Sequence, residues 1–414
     1  MATVVLLGAL DTKGHEYDYV RRHVCAAGCD VVLVDVGILG EPQVRADISR
    51  ADVAREVRAD IGALVAAGDR GAAVVTMARG ATAVVTRLYA AGRLDGILGL
   101  GGSGGSSLAT RAMRALPIGV PKLMVSTMAS GDTRPYVGAS DVTMMYSVVD
   151  IAGINTISER ILSNAAAAIA GMARANDHFE PNNAGKPLVG ATMFGVTTPC
   201  VTAARERLEE RGYEVLVFHA TGTGGQSMEA LMRDGFIIAA LDVTTTELAD
   251  DLVGGVLSAG PDRLEAAGAL GIPQVVSLGA LDMVNFGPFD TVPTRFGDRL
   301  FYRHNATVTL MRTTPEENAE LGRRIARKLN AARGPVTLFV PLKGVSLIAT
   351  EGQVFYDPTA DRALFDALRR TLAPTVELVE MDTDINDPQF ARAMADHLHM
   401  RYQTWAAMRK ETQV

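Results

Sequence analysis

Ile-Leu-Gly-Leu-Gly-Gly-Ser-Gly-Gly-Ser-Ser-Leu-Ala, residues 97–109, is the stretch of this sequence that decides the fold. An apolar run passes into a segment with five glycines and three serines, after which a helical pattern begins. Glycine admits positive φ and lets the main chain approach a ligand closely. A helix that starts there directs unpaired N–H groups and the positive end of its dipole at the same point. The stretch therefore predicts a strand, an anion-binding turn and a helix, with phosphate as the expected ligand.

Two other loops share this arrangement. The apolar residues 4–7 lead into GALDTKG (8–14), and residues 123–125 lead into STMASGD (126–132). In a parallel α/β sheet the loops that follow the strands lie along one edge, so these three loops are expected to meet in one crevice. We expect that crevice to be the binding site.

Apolar segments alternate with long amphipathic segments at 4–7, 31–35, 97–100 and 122–125, and the pattern resumes at Leu188. Such alternation is typical of a parallel sheet with helices on both faces. A chain of 414 residues exceeds the usual size of one core. The predicted fold class is therefore α/β with two Rossmann-like domains and mainly parallel sheets. A nucleotide-binding domain is expected over 1–180 and a second domain over 187–414, with the polar segment 176–187 as the hinge.

In the second domain, strands are expected at 188–194, 215–218, 236–241, 273–277 and 336–340. Helices are expected to start near residues 198, 226, 245, 261, 315 and 361.

Charge and cysteine content exclude several classes of protein. The formal net charge is −7, and Lys and Arg are spread along the chain, so no nucleic-acid surface is expected. The three cysteines have neither zinc nor disulfide spacing, which favours free thiols in a reducing compartment. The sequence shows no secretion signal or membrane span, so we expect a cytoplasmic protein with no membrane partner.

Residues 99–104 match the G-x-G-x-x-G spacing of dinucleotide-binding loops. The acid that would hold a ribose hydroxyl after the next strand is replaced by Ser126, and the glycine run follows the third strand instead of the first. A phosphate-bearing ligand is therefore favoured over NAD.

Charged residues near this loop suit a phosphate and its metal ion. Lys13 can neutralise a phosphate as a point charge, and Asp11 can hold Mg²⁺ directly or through water. Capping of the following helix by Asp11 or Thr12 is an equally good explanation. Asp35 ends the second strand, where an acid could meet a ribose or close the turn.

The second half repeats the pattern less clearly. His219 follows one strand and precedes a glycine-rich loop, Asp242 follows another strand, and Asp282 follows a third. These three residues are the candidates for acid–base chemistry on a second substrate. For His219 alone, a hydrogen-bonded turn is about equally expected.

Eight long motifs occur together in this chain: GALDTKG (8–14), VDVG (34–37), GLGGSGG (99–105), VSTMASGDTRPYVG (125–138), TGTGGQSMEAL (221–231), LDVTTTEL (241–248), SLGALDMVNFG (277–287) and MRTTPEEN (311–318). Nearly end to end, they resemble the family of the ATP-binding inhibitory domain of the tomato mosaic virus resistance protein. The resemblance implies two Rossmann-like domains, a homodimer, and ATP with Mg²⁺ bound in the N-terminal domain. At position 343 it implies Arg, where this chain has Lys.

Carried onto this sequence, the resemblance implies an ATP site drawn from four segments. Its residues are Gly8, Asp11, Thr12, Lys13, Asp35, Gly101, Gly102, Ser103, Gly104, Gly105, Ser126, Thr127, Met128, Ser130 and Gly131.

The leading hypothesis is an ATP-binding metabolic enzyme that couples a nucleotide in the N-terminal domain to a small substrate at the C-terminal domain. One alternative is a nucleotide-sensing module that binds a protein partner without chemistry. Another is a dehydrogenase or isomerase whose glycine loop holds a different phosphorylated ligand. The second set of polar residues, around His219, Asp242 and Asp282, favours the enzyme, because a sensor does not need such a set.

Overall fold

A computed structural model of the chain describes residues 1–177 and 185–412. The chain divides into two compact units, Met1–Asn182 and Asn183–Val414. Most of the expected hinge, residues 178–184, lies outside the described residues.

The first unit is built on a five-stranded parallel sheet in the order β2-β1-β3-β4-β5. Its strands are β1 Thr3–Gly8, β2 Asp30–Asp35, β3 Gly96–Gly101, β4 Lys122–Ser126 and β5 Thr143–Tyr146. Its helices are α1 Leu10–Ala26, α2 Arg50–Glu56, α3 Ile61–Ala66, α4 Arg70–Ala90, α5 Ser103–Met113, α6 Arg134–Val137 and α7 Thr156–Asp177. The chain passes from β1 to β2 on one side and to β3 on the other, so the topological switch point lies between β1 and β3.

Continuous apolar strands explain why helices cover both faces of this sheet. Every residue of β3 is buried, as expected of a strand that is packed on both sides. One core contains residues of α2, α4 and α5, and the other contains residues of α1 and α7. Helices α2 and α4 pack closely at Gly80, where a Cβ would lie 2.2 Å from the carbonyl oxygen of Val53.

The second unit has a six-stranded parallel sheet in the order β14-β13-β9-β8-β6-β7 and a three-stranded antiparallel sheet in the order β10-β12-β11. The strands are β6 Leu188–Met193, β7 Glu214–His219, β8 Ala239–Thr244, β9 Gln274–Gly279, β10 Met283–Phe286, β11 Phe301–Arg303, β12 Thr309–Arg312, β13 Val336–Pro341 and β14 Glu377–Met381. The helices are α8 Thr198–Glu210, α9 Thr223–Arg233, α10 Glu247–Val253, α11 Ala266–Leu270, α12 Pro315–Asn330, α13 Pro358–Thr371 and α14 Pro388–Thr412.

The predicted fold class is confirmed, because each unit carries a parallel sheet flanked by helices. The strand predicted at 236–241 begins three residues later, and the antiparallel sheet was not expected. Cys25, Cys29 and Cys200 are free thiols. Among residues 1–177 and 185–412, none of the helices combines the length and the apolar character that crossing a membrane requires.

Candidate functional site

A cavity of about 370 Å³ lies at the switch point of the first unit, where β1 and β3 end. It is lined by the turn after β1, the loop after β2, the start of α4 and the glycine loop that opens α5. Nine of the predicted cofactor-binding residues line it: Gly8, Asp11, Thr12, Lys13, Gly101, Gly102, Ser103, Gly104 and Gly105. Two of the three predicted loops therefore meet here.

The buried Tyr17 hydroxyl separates β1 from β3 at the edge of the cavity. Pairing of the two strands extends to Leu7 and Gly99. Beyond that pair, the hydroxyl donates to Leu7 O at 2.6 Å and accepts from Leu100 N at 2.7 Å. Gly8 leaves room for the ring, because a Cβ there would lie 1.9 Å from the Tyr17 oxygen. The tyrosine thus satisfies backbone groups that the diverging strands no longer pair, a role that sequence analysis missed.

The glycine loop presents the start of α5 to the cavity. Gly102 is the N-cap and offers no side-chain cap. The first amides of a helix have no partner within it, so the N–H groups of Ser103, Gly104 and Gly105 remain for a ligand. This is the anion-binding geometry that the sequence predicted.

The glycines of this loop serve a different purpose from the expected one. Gly101, Gly102, Gly104 and Gly105 all lack the positive φ that we predicted for such a turn. Gly101 is required for packing, since a Cβ would lie 2.9 Å from the Cα of Gly105. At Gly104 a Cβ would meet nothing within 4 Å. Because Gly104 lines the cavity, the missing side chain leaves space for a ligand.

Asp11 has one engaged carboxylate oxygen and one unpaired oxygen. Its Oδ2 accepts from Leu39 N at 2.6 Å and from Gly40 N at 3.1 Å. Its Oδ1 is buried and has no hydrogen-bond partner among the described residues. A Cβ at Gly37 would come within 2.8 Å of this oxygen. The carboxylate is therefore held in place with one oxygen left for a cation, which fits the predicted metal-binding role.

Lys13 lies where α1 is interrupted, with φ −134° and ψ 23°. The cause is Gln43, whose side-chain amide donates to Asp11 O at 3.0 Å and accepts from His15 N at 3.3 Å. In a regular helix these two backbone groups would bond to each other. Gln43 thus separates residues 10–13 from the rest of α1 as a distinct turn. The Lys13 ammonium, on the cavity wall, donates to Ile151 O.

The other predicted binding residues do not line this cavity: Asp35, Ser126, Thr127, Met128, Ser130 and Gly131. Asp35 is 1% exposed and accepts from Leu10 N at 3.1 Å and Gly37 N at 2.8 Å, so it closes the turn and starts α1. Burial raises the pKa of the Asp35 carboxyl. Ser126 is buried against Ser106, with 2.6 Å between the hydroxyl oxygens.

Asp11 by itself would not complete the coordination of a divalent cation at this site. Within the described residues, no group of three or more His, Cys, Asp or Glu side chains is arranged to hold a metal ion. Mg²⁺ commonly binds through one or two carboxylates together with substrate phosphates and water. Asp11 alone is compatible with that mode.

The predicted catalytic residue Asp242 lies in a buried charge cluster of the second unit. Arg263, whose side chain is 1% exposed, makes two bonds to Asp242 at 2.6 and 2.7 Å and one to Glu247 at 2.6 Å. Glu229 lies 3.6 Å away. Asp242 also accepts from the Thr192 hydroxyl at 2.7 Å. This bonding gives Asp242 a structural role, and its role in acid–base chemistry stays a prediction.

Glu247 closes the glycine loop of the second unit. This loop opens α9, with Gly222 as the N-cap. Glu247 Oε1 accepts from Gly222 N at 2.8 Å and from Gly225 N at 3.1 Å. The protein's own carboxylate therefore takes the position that an external anion would occupy. The two glycine loops look alike in sequence, yet only that of α5 is open.

His219 and Asp282 lie at the ends of different strands. His219 is exposed at the end of β7, with its ring 5.3 Å from that of Phe194. Asp282 is fully buried and accepts from the Ser346 hydroxyl at 2.8 Å. Burial raises the pKa of Asp282 to about 6, against the opposing effect of Arg312. In the described part of the chain, no hydrogen bond or ion pair links any two of His219, Asp242 and Asp282.

A cavity of about 600 Å³ in the second unit lies at the carboxyl end of β13. Its wall includes Lys343, Glu351, Tyr356 and Arg362. Lys343 pairs with Asp382 at 2.8 Å. Glu351 is exposed, and the fold of the long segment between β13 and α13 places it on the wall of the same cavity as Arg362.

The environment of Cys200 does not favour the thiolate that a nucleophilic cysteine needs. Burial raises the pKa of its thiol to about 12, so the thiol is protonated at neutral pH. Cys200 therefore belongs to the core.

Two family models together match almost the whole chain. The N-terminal domain of "Uncharacterised protein family (UPF0261)" matches residues 2–178, and its C-terminal domain matches residues 186–402. A UPF0261 protein of Clostridium tetani is 55% identical over 397 residues, which is 95% of this chain and 98% of that protein.

The ToMV resistance protein Tm-1 of Solanum lycopersicum is 48% identical over 334 residues, or 79% of this chain. The match spans 44% of that plant protein. A UDP-N-acetylglucosamine 2-epimerase structure from Rickettsia bellii aligns with 66% of this chain and 78% of its own at 12% identity, with a TM-score of 0.25. A likeness at that score carries no argument about function.

Proposed function

This chain belongs to the uncharacterised protein family UPF0261, and we propose that its first unit binds ATP with Mg²⁺ while its second unit binds a small substrate, as an ATP-dependent enzyme. The observation that carries the proposal is the open N-terminus of α5, which lines a cavity together with Lys13 and Asp11. Three unpaired amides and a lysine suit phosphate groups, and the unpaired Asp11 oxygen suits a magnesium ion. In the second unit, by contrast, Glu247 already occupies the start of α9.

The rest of the cavity suits a nucleoside. Apolar side chains form part of its wall: Val36, Ile38, Leu39, Val74 and Leu108. Its volume of about 370 Å³ lies within the range of ~300–1,000 Å³ typical of small-molecule sites. An adenine base against the apolar wall would place the phosphates toward α5.

ATP is favoured over NAD because neither position where a ribose-binding carboxylate is expected offers a free one. A dinucleotide loop needs a carboxylate free to bind the ribose. Asp35 uses its carboxylate on two backbone amides, and Ser126 stands at the end of β4. Neither residue supplies that carboxylate.

The cavity at the carboxyl end of β13, in the second unit, favours an enzyme over a sensor. Lys343 and Arg362 on its wall can bind an anionic group, and Glu351 and Tyr356 can accept or donate protons. This cavity is a further candidate substrate site beside His219, Asp242 and Asp282, whose role in acid–base chemistry stays a prediction. The homodimer implied by the family resemblance stays a prediction.

Calorimetry with the full chain tests the nucleotide site. We expect binding of ATP with Mg²⁺ and little response to NAD. Gly104→Val fills the cavity and should weaken ATP binding at least tenfold. Gly171→Val is the matched control, because Gly171 is also helical, lies on α7 outside the cavity and has no atom within 4 Å of the position that a Cβ would take. Asp11→Asn should abolish the gain in ATP affinity that Mg²⁺ provides.

Tight NAD binding without a response to ATP would contradict the proposal. Equal ATP affinity in the parent and in Gly104→Val would place the nucleotide elsewhere.

A further inference from the structure

We propose that the first unit carries a second anion site, which takes a small metabolite with two or more anionic groups. This site is separate from the cavity at the start of α5, hereafter the glycine-loop cavity. The site is a cavity of about 570 Å³ beside β2, between the C-terminal ends of α2 and α4. Four arginines line it: Arg55, Arg58, Arg87 and Arg93. It shares no lining residue with the glycine-loop cavity. The proposal does not depend on what binds at the glycine loop.

The charges of this arginine cavity leave two guanidinium groups available. Arg55 pairs with Asp52, and Arg87 pairs with Glu56 at 2.9 Å. The third acid on the wall, Asp47, accepts from Leu33 N at 2.7 Å. The side chains of Arg58 and Arg93 have no hydrogen bond or ion pair with any described residue.

One guanidinium group can donate two parallel hydrogen bonds to two oxygens of a carboxylate or a phosphate. Two unpaired guanidinium groups in one cavity suit a molecule with two anionic groups better than they suit a single ion.

The backbone of Arg58 is an independent observation. Arg58 has φ +58°, in the left-handed region that favours glycine. It occupies the position after the C-cap of α2, where Arg58 N bonds Arg55 O and Ala59 N bonds Ala54 O, each at 3.0 Å. Helices usually place glycine or asparagine at this position. A strained conformation held by a charged residue on a cavity wall indicates a functional constraint on its side chain.

The strain separates a binding role from a structural one. If Arg58 only ended the helix, glycine would do so better, because glycine adopts this conformation without strain. We therefore expect Arg58→Gly to raise the melting temperature and, at the same time, to weaken anion binding at least tenfold. Arg93→Gln should weaken binding by a similar factor without the gain in stability.

The experiment is calorimetry of the full chain with citrate and with inorganic pyrophosphate, at constant ionic strength. The parent should bind at least one of the two probes, and the preference identifies the ligand as a carboxylate or a phosphate compound. Arg160→Gln is the matched control, because Arg160 is an exposed arginine on α7 outside the cavity. It should bind as the parent does.

Gly104→Val distinguishes this site from the glycine loop. Binding that survives Gly104→Val and is lost in Arg58→Gly and Arg93→Gln belongs to the arginine cavity. The proposal is overturned if the parent binds neither probe, if the arginine variants bind as tightly as the parent, or if Gly104→Val removes the binding.

Discussion

At the scale of single residues, Asp282 is a candidate catalytic residue from the sequence that the fold buries completely. It follows β9 at the edge of the sheet where ligands bind, but it has no exposed surface. One carboxylate oxygen accepts from Ser346, and the other has no partner among the described residues. Ionisation in such surroundings is unfavourable, because desolvation penalises the charged form.

A raised pKa makes the stability of the protein depend on pH. The folded pKa of Asp282, about 6, exceeds the unfolded value of about 3.9. Its favourable contribution is therefore fully present below the unfolded pKa and is lost as the pH rises through about 6. Asp282→Asn removes this loss while keeping an oxygen that accepts from Ser346. We expect the stability of this variant relative to the parent to increase by roughly 2 kcal/mol from about pH 4 to about pH 8.

Urea unfolding of both proteins at the two pH values measures this change. A stability difference that is the same at both values would show that Asp282 does not titrate between them.

Sequence analysis identified the main cavity residues but not the residues that hold them. Asp11, Lys13 and Gly101–Gly105 follow apolar runs, and strand-end position is readable from sequence. Gln43 and Tyr17 act through tertiary contacts with α1, β1 and β3, for which one sequence contains no signal. The partnership of Asp242 with Arg263, 21 residues away, was equally invisible.

At the scale of elements, the difference between α5 and α9 depends on one side chain from α10. Glu247 is fully buried and links Arg263 to the start of α9. A Cβ at Gly225 would lie 2.3 Å from its Oε2, so the glycine is needed for this contact. The loop of α9 is thereby fixed by the protein itself.

Removal of Glu247 should strongly destabilise the second unit. Glu247→Ala leaves two amides unbonded and removes one partner of a buried arginine, which costs about 3–5 kcal/mol of unfolding free energy. Glu247→Gln keeps an acceptor for the amides and should cost less. Urea unfolding of the two variants measures both effects. A loss below about 1 kcal/mol in Glu247→Ala would mean that water or a rearranged side chain replaces the carboxylate.

Long parallel strands were predictable and short antiparallel ones were not. Strands such as β3 are continuous apolar runs followed by helical patterns. β10, β11 and β12 have only three or four residues each, too few to show a two-residue period. Asn285 is a polar residue inside β10, and its buried side-chain amide donates to Asp250 at 2.7 Å.

At the scale of the whole molecule, each unit has its own sheet, its own cores and its own cavities. The residues that line the glycine-loop cavity all belong to the first unit, and those around Lys343 all belong to the second. Composition and alternation predicted this class of architecture. The division of function between the units stays a prediction, because no pattern in sequence reveals which groups a ligand contacts.

That division predicts that second-unit variants keep the nucleotide affinity of the parent. His219→Ala and Arg362→Gln change exposed side chains of the second unit, neither of which lines the glycine-loop cavity. We expect each to bind ATP with Mg²⁺ within about threefold of the parent, a change below roughly 1 kcal/mol. Gly104→Val, titrated in parallel, should lose at least tenfold. A tenfold loss in either second-unit variant would show that ATP binding also depends on the second unit. Unchanged affinity in both would leave their side chains available for the second substrate.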